Sequence, residues 1–358
     1  MIDTILSPGR RRLLGAFGSL GALALAGCSE RTGGIPAAPG GLQFSGQTMG
    51  TGYVVKLAAA ALSAARIDAL RADVHDALEG VNRGMSLYRA DSELMRFNRH
   101  DAGTPLTLSK DLFHVLAAAR QVSELSQGAF DVSVAPLVHA WGFGPARRTT
   151  VPAAAQVQAR RGTIGWQGLR LDAGQGTATK AHTGLQADLG GIAKGHGVDL
   201  AALALDAGGV EDYMIEVGGE VRTRGRNAQG RPWQIGIEEP DALPQRVRSV
   251  VPLSGQSLAT SGDYRIYFEQ AGRRYSHEID PRTAAPIAHA LASVSVVADS
   301  CMRADALATA LIVMGPEHGI ALARQLALPA LFIVREPPGG LRNIATSAWA
   351  ALTSGAAA

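Results

Sequence analysis

An aspartate and a threonine near the C-terminus have the spacing of a metal site. Asp305 and Thr309 lie four residues apart in the segment ADALATALIVMG, whose apolar pattern predicts a buried helix. Residues at this spacing share one face of a helix, and a carboxylate with a hydroxyl provides the hard oxygen ligands that Mg²⁺ prefers. Capping, or bonding of the hydroxyl to a helix carbonyl, is the structural alternative. An unpaired Asp305 in so apolar a helix would be costly to bury, so the metal site stays open on equal terms with the structural alternative.

A glycine-rich turn is the second candidate, for phosphate binding. The segment DLGGIAKG, residues 188–195, precedes a predicted helix. Glycines let the backbone approach a phosphate, the start of a helix favours an anion, and Lys194 adds a positive charge. The spacing fits neither the Walker motif nor GxGxxG, so a purely structural turn stays open as the alternative.

A histidine close to an aspartate is the third candidate. His277 lies in YSHEIDP, three residues before Asp280. With a carboxylate nearby, an imidazole can act as an acid or base or donate to a phosphate. A lone histidine at a strand end is more often structural. The histidines form neither an HExxH motif nor a Cys/His zinc spacing.

The elements that must position these residues alternate between helices and strands. Apolar residues at 3–4 spacing predict amphipathic helices in 63–87 and 106–126, and residues 128–134 predict a turn into a strand. The alternation lacks the regular βαβ spacing of a doubly wound sheet. We therefore predict an α+β fold with a layered, mixed or antiparallel sheet and packed helices. Further strands are predicted in 42–59 (two about a glycine turn), 213–225, 233–237, 249–253, 264–268, 275–279, 293–297 and 331–334.

Composition and charge restrict the class of protein. Hydrophobic residues make up 46% and charged residues 18% of the 358 residues, which allows a sizeable core and excludes global disorder. The formal net charge is +3, but residues 1–27 contain Arg10, Arg11 and Arg12 against the single acid Asp3. The remaining chain is nearly neutral. Because binding to a phosphate backbone requires a concentrated basic face, nucleic acid is not expected as a partner.

The N-terminus has the pattern of a bacterial lipoprotein signal. Three arginines are followed by the apolar run 13–27 and then Cys28, which is typical of an export signal and too short for a spanning helix. The sequence Leu-Ala-Gly-Cys ending at Cys28 resembles a lipobox, whose cysteine is lipidated; an ordinary signal with an incidental cysteine is the alternative. We predict a signal peptide in 1–27, a flexible tether in 28–41 and one catalytic domain in 42–353.

The motifs occur in the order of one family, and the chain resembles the ApbE-like FAD:protein FMN transferases over nearly all of residues 44–315. Ala284 stands where that family usually has glycine, which puts a local turn in doubt but no proposed ligand. The matching segments are MGT (49–51), MSLYRADSEL (85–94), GAFDVSVAPLV (128–138), DLGGIAKGHGVD (188–199), EVGGEVRTRG (216–225), ATSGDYR (259–265), YSHEIDPRTAAP (275–286) and ADALATALIVMG (304–315).

The resemblance implies that FAD is the substrate and is cleaved at its pyrophosphate. The FMN half would be attached to a threonine or serine of a target protein, and AMP would leave. Asp305, Thr309 and the backbone carbonyl of Gly191 would hold Mg²⁺. Asp305 is the favoured base, with His277 as a donor on the phosphate side. The residues expected to line the FAD site are Met49, Tyr88, Ala129, Phe130, Asp131, Lys194, His277 and Ile279.

The resemblance also implies a location and a partner. Bacterial members are typically periplasmic lipoproteins, so we expect a lipid anchor on Cys28 at the periplasmic side of the cytoplasmic membrane. The expected acceptor is a flavoprotein subunit of a membrane electron-transfer complex. Two alternatives stay open: a Mg²⁺-dependent FAD pyrophosphatase with water as the nucleophile, and a non-catalytic flavin-binding lipoprotein, which would be expected to lack the metal ligands.

Overall fold

The computed structural model describes residues 41–59 and 62–354. The predicted signal peptide, Cys28 and almost all of the predicted tether lie outside these residues. The strands are β1 (Leu42–Thr48), β2 (Thr51–Leu57), β3 (Leu106–Thr107), β4 (Leu169–Asp172), β5 (Thr177–Lys180), β6 (Tyr213–Val217), β7 (Glu220–Arg224), β8 (Trp233–Glu238), β9 (Val247–Leu253), β10 (Ser257–Gly262), β11 (Tyr267–Gln270), β12 (Arg273–Ser276), β13 (Ile279–Asp280), β14 (Ala285–Pro286), β15 (Leu291–Ala298), β16 (Ala330–Glu336) and β17 (Gly340–Ala345). The helices are α1 (Ala64–Met85), α2 (Glu93–Arg99), α3 (Lys110–Leu125), α4 (Ala135–Ala140), α5 (Ala154–Arg161), α6 (Ala193–Ala207), α7 (Cys301–Gln325) and α8 (Ser347–Ser354).

An eight-stranded sheet forms the centre of the fold, in the order β1-β2-β6-β7-β10-β15-β16-β17. Every neighbouring pair in it is antiparallel. The central strand β15 is buried along nearly its whole length, because it has cover on both faces, and its sequence LASVSVVA is accordingly an almost continuous run of small and apolar residues. The predicted α+β class is confirmed.

The helices and a hairpin cover opposite faces of this sheet. On one face, α1 and α6 pack over β2 and β6 around Leu78, Val198 and Ile215, and α3 and α7 pack beside them. On the other face, the β8–β9 hairpin and α8 pack around Trp233 and Trp349. Burying one such large apolar side chain contributes roughly 1.5–3 kcal/mol, so the two layers hold the central strands firmly in place.

Helix α7 carries the predicted metal-binding pair through the core. Its N-cap Ser300 accepts a hydrogen bond from the backbone of Arg303. The helix is interrupted at Gly315 (φ 81°), which is followed by Pro316, so its first part corresponds to the predicted helix 304–314. In the described ranges, α7 is the one helix long and apolar enough to cross a membrane by length and composition. Most of it is buried against the sheet, so its apolar sequence serves the core.

Two predicted strands are wrong, both at glycine-containing turns. Residues 213–225 form a hairpin rather than one strand, because Gly218 (φ 60°) and Gly219 (φ 105°) reverse the chain. Residues 128–134 form a turn that leads into α4, and Val134 makes a single isolated bridge to Gln186. The elements that were not predicted are strands β3, β10, β14 and β17 and helices α4, α5 and α8.

Candidate active site

The start of α6 meets the first turns of α7 because glycine occupies position 195. A Cβ at Gly195 would lie 2.6 Å from the carbonyl carbon of Cys301, closer than real Cβ atoms approach. The close contact lets the Gly195 backbone N–H donate a hydrogen bond to Asp305 Oδ2 at 3.0 Å. The glycine turn and the predicted metal-binding helix therefore form one site, and the Asp305 side chain is buried within it.

The other two predicted metal ligands lie beside Asp305. Thr309 follows one turn later on α7, and its Oγ1 is 3.0 Å from Ser261 Oγ on β10. Gly191 packs directly against the threonine, since a Cβ there would lie 2.9 Å from Thr309 Oγ1. The structure thus brings Gly191, Asp305 and Thr309 together, and their role as metal ligands stays a prediction.

Lys194 is held in an ion pair that the sequence analysis did not predict. Its Nζ contacts Glu220 Oε1, and Glu220 is buried at the first position of β7. Burial opposes the charge of Lys194, but the carboxylates of Glu220 and Asp305 together raise its pKa. Burial also raises the pKa of Glu220, to about 7, against the charge of Lys194. Glutamate directly after Gly-Gly, in a strand that is otherwise partly apolar, is the only local signal of this role.

The Asp305 carboxylate is buried away from water, and few protein groups replace the hydrogen bonds that water would make to it. Burial raises its pKa, and the charge of Lys194 is the main opposing influence. Among the residues that the structure describes, Gly195 is the only donor of a hydrogen bond to this carboxylate. Oxygen lone pairs are therefore left for a cation, and a positive charge placed there would offset the desolvation.

The donor set fits Mg²⁺ and not a softer metal. The predicted ligands are a carboxylate, a hydroxyl and a backbone carbonyl, all hard oxygen groups. Within residues 41–59 and 62–354, three or more His, Cys, Asp or Glu side chains nowhere gather around a common metal position. A cation at Asp305 therefore depends on Thr309 and Gly191 as further ligands.

His277 lies at the base of the β11–β12 hairpin. Its backbone N–H donates to the carbonyl of Ile266 at 3.0 Å. The ring Nε2 is 3.7 Å from Glu278 Oε1, and Nδ1 is buried without a hydrogen-bond partner among the described residues. Burial lowers the pKa of His277 to about 4, so the imidazole is neutral at pH 7.

The predicted pairing of His277 with Asp280 is wrong. Asp280 accepts three hydrogen bonds from Arg282, one from its backbone and two from its guanidinium, each at 2.9 Å. A guanidinium binds a carboxylate through two parallel hydrogen bonds. Both oxygens of Asp280 are therefore engaged, and they stabilise the turn after β13. The carboxylate beside His277 is instead Glu278, which the sequence analysis missed. Burial raises the pKa of Glu278 to about 8.

Besides Lys194 and His277, the predicted flavin contacts lie on several different elements. Met49, in the left-handed region (φ 47°) between β1 and β2, packs on α6, where a Cβ at Gly197 would lie 2.6 Å from Met49 Cε. Tyr88, just beyond α1, is 70% exposed, so its ring is open to a ligand. Ile279 is buried in a cluster with Trp141.

The segment from Ala129 to Asp131 is fixed by its own hydrogen bonds. Ala129 and Phe130 are buried. The Asp131 carboxylate accepts from the backbone and hydroxyl of Ser133, both at 2.7 Å, and from the backbone of Trp166 at 3.0 Å. Burial nevertheless raises the pKa of Asp131. This carboxylate shapes the turn, and no hydrogen bond or ion pair within the described residues connects it to Lys194 or Asp305.

Comparison with known proteins gives consistent matches over most of the chain. The model of the ApbE family matches residues 49–332. FAD:protein FMN transferase of Vibrio cholerae is 44% identical over 92% of this chain and 95% of its own length, and that of Haemophilus influenzae is 41% identical over 89% and 91%. Among solved structures, flavin transferase ApbE from Vibrio cholerae aligns with a TM-score of 0.79 at 42% identity, covering 87% of this chain and 99% of that one. Apo Pseudomonas stutzeri flavinyl transferase ApbE aligns with a TM-score of 0.79 at 41% identity, covering 87% and 96%.

Proposed function

The chain belongs to the ApbE family and is an FAD:protein FMN transferase, and on this basis we propose that it uses Mg²⁺ to transfer the FMN half of FAD to a threonine or serine hydroxyl of its target, with release of AMP. The observation that carries the proposal is the meeting of Lys194, Gly191, Asp305 and Thr309 where α6 contacts α7. These groups supply positive charge and hard oxygen ligands at one place, which is what cleavage of a pyrophosphate requires.

The proposed reaction is a displacement at the FMN phosphorus. The bond between that phosphorus and the bridging oxygen breaks, AMP leaves with the bridging oxygen, and the acceptor hydroxyl oxygen forms the new ester bond. Lys194 would supply positive charge to the phosphate oxygens. The backbone N–H groups of Asp188, Gly190, Ile192, Ala193 and Gly195 already donate hydrogen bonds within the protein, so they are not assigned to the phosphate. Mg²⁺, held by Asp305, Thr309 and the Gly191 carbonyl, would stabilise the charge that develops on the phosphates.

His277 is the proposed acceptor of the hydroxyl proton. Its imidazole is neutral at pH 7 because burial lowers its pKa to about 4, and Nδ1 has no partner among the described residues. Asp305, which the sequence favoured as the base, has its lone pairs engaged when it binds a cation. We therefore assign Asp305 to the metal and His277 to the proton.

The flavin is proposed to lie along Met49, Tyr88, the turn Ala129–Asp131 and Ile279. The exposed ring of Tyr88 offers a flat surface for stacking on the isoalloxazine. Ala129, Phe130 and Asp131 form a rigid turn, so they would contribute backbone groups and shape rather than a free carboxylate.

The protein is further proposed to be attached to the periplasmic face of the cytoplasmic membrane through lipid on Cys28. This rests on the lipobox-like sequence ending at Cys28. The proposed acceptor is a flavoprotein subunit of a membrane electron-transfer complex, which the anchor would place within reach. Fractionation of cells checks the anchor: Cys28→Ala should move the protein out of the membrane fraction, and an unchanged distribution would contradict it.

The deciding experiment is incubation of the purified protein with FAD, Mg²⁺ and candidate acceptor proteins, followed by intact-mass measurement. An acceptor that gains the mass of FMN, with AMP released in equal amount, supports the proposal. Replacement of the modified hydroxyl residue by alanine in the acceptor should abolish the gain. Free FMN and AMP without modified acceptor would show the pyrophosphatase instead, and bound but unreacted FAD would show the non-catalytic flavin-binding protein.

A further inference from the structure

Glu220 occupies an unusual position between the strands and the proposed metal site. It begins β7 directly after the Gly218–Gly219 turn, and only 2% of its side chain is exposed. Its Oε1 contacts Lys194 Nζ, while Oε2 is buried without a hydrogen-bond partner among the described residues. A buried carboxylate in this state depends strongly on its single cationic partner.

Lys194 lies close in the fold to a second buried carboxylate, that of Asp305. The lysine directly precedes Gly195, whose N–H is bonded to Asp305, and the charges of both Glu220 and Asp305 act on its ammonium. The charges of two buried carboxylates thus act on one lysine. In the described residues, Lys194 forms an ion pair with Glu220, and Asp305 forms none.

We propose that Glu220 is a positioning residue that holds the Lys194 ammonium away from Asp305 and so keeps the Asp305 carboxylate open for Mg²⁺. The inference rests on the proposed metal site. Without the charge of Glu220, the lysine would turn to the remaining carboxylate and act as a tethered competitor of the metal ion.

The variants that test this differ in charge and little in volume. Glu220→Gln keeps the shape but removes the charge, so Lys194 should pair with Asp305 and the Kd for the metal ion should rise about tenfold or more, the effect of one close charge pair. The double variant Glu220→Gln/Lys194→Met has no competing ammonium, so its Kd should return close to the wild-type value.

Binding is measured with Mn²⁺ as the probe, by the electron paramagnetic resonance signal of the free ion, on the full chain without FAD or acceptor. Asp305→Asn serves as the variant without a site. A wild-type protein that binds no Mn²⁺ would contradict the proposed metal site itself. Wild-type binding that Glu220→Gln leaves unchanged, or a double variant as weak as Glu220→Gln, would overturn the role of Glu220 alone.

Thermal melting identifies variants that do not fold. If Glu220→Gln does not melt cooperatively, Glu220→Asp replaces it, because the shorter side chain keeps the charge but loosens the contact with Lys194. A smaller rise in Kd is then expected, again reversed by Lys194→Met. The inference would be overturned if the folded Glu220→Asp protein had the Kd of the wild type and if adding Lys194→Met to that variant left its Kd unchanged.

Discussion

The backbone N–H of Gly195 donates a hydrogen bond to the Asp305 carboxylate across 3.0 Å, and this contact joins the glycine-rich turn 188–195 to the proposed metal ligand. It exists because α6 and α7 touch at a position without a side chain. A Cβ at Gly195 would lie 2.6 Å from the carbonyl carbon of Cys301 and 2.8 Å from Met302 Cα. Both are backbone atoms, so neither can move aside without shifting a helix.

Gly195→Ala should therefore damage both stability and catalysis. Forcing the helices apart is expected to lower the free energy of unfolding by about 1–3 kcal/mol. Displacement of Asp305 from the turn is expected to lower kcat/KM for FMN transfer by about a hundredfold. Urea unfolding and the transfer assay measure the two effects. Gly84→Ala is the matched control, because nothing lies within 4 Å of a Cβ there and alanine favours the helix α1; equal behaviour of the two variants would contradict the prediction.

Removal of the Asp305 charge should abolish Mg²⁺-dependent transfer. Asp305→Asn keeps the volume and an oxygen that can accept from Gly195, but it removes the anionic ligand. We expect kcat to fall by at least about a hundredfold, while the free energy of unfolding stays equal or increases, because a desolvated charge is lost. Transfer at the wild-type rate would show that the site is assigned wrongly.

The pH dependence of transfer should report the lowered pKa of His277. Burial lowers this pKa to about 4, so the neutral base is present from about pH 5 upward. The kcat/KM, measured with saturating metal, should therefore contain an acid limb near pH 4 that belongs to His277. Limbs near pH 7 and pH 8 belong to Glu220 and Glu278, whose pKa values burial raises to about 7 and about 8. A wild-type profile without the limb near pH 4 would contradict the assignment. His277→Gln should lower kcat by about 10²–10⁴-fold and leave no such limb.

Ionisation of the buried Glu278 carboxyl should lower the free energy of unfolding as the pH rises. Burial raises its pKa to about 8, so between its ordinary pKa and about 8 the folded chain binds a proton that the unfolded chain has lost. The stability present below the ordinary pKa is therefore lost as the pH rises through about 8. The free energy of unfolding of the wild type should decrease between pH 6 and pH 9. In Glu278→Gln, which has no such carboxyl, this decrease should be smaller by about 2 kcal/mol.

Urea unfolding at the two pH values measures this difference. The control is Glu124→Gln, at a half-exposed glutamate on α3, which should follow the wild type. A wild-type protein and a Glu278→Gln variant with the same pH dependence would show that Glu278 is ionised in the folded state.

The parts of the site that depend on local spacing were predictable from the sequence. The i, i+4 relation of Asp305 and Thr309 and the turn before α6 follow from helix geometry and glycine chemistry. The pairing partners were not predictable, because they depend on elements far apart in the chain. Glu220 reaches Lys194 only when β7 lies beside α6. Asp280 does not pair with His277 because its carboxylate accepts hydrogen bonds from the Arg282 guanidinium.

The strand errors have a related cause. Alternating apolar residues on both sides of Gly218 and Gly219 have the same periodicity in one long strand and in two short ones. The positive φ angles of the two glycines decide for a hairpin, and such angles follow from turn chemistry rather than from the periodicity of apolar residues. The turn also places Glu220 in the core, so recognising it would have indicated a buried acid near the site.

The pairing of β2 with β6 sets the order in which this molecule can fold. Tyr53 lies opposite Val217, although helices α1 to α6 all come between them in the chain. Closing so long a loop is slow, because its entropy must be lost before any contact is gained. Lys194 lies in α6, before β6, and Asp305 lies in α7, far beyond it, so the proposed flavin site cannot be complete before these distant segments have met. Retention of flavin by a newly synthesised chain would therefore indicate that these segments have already packed together.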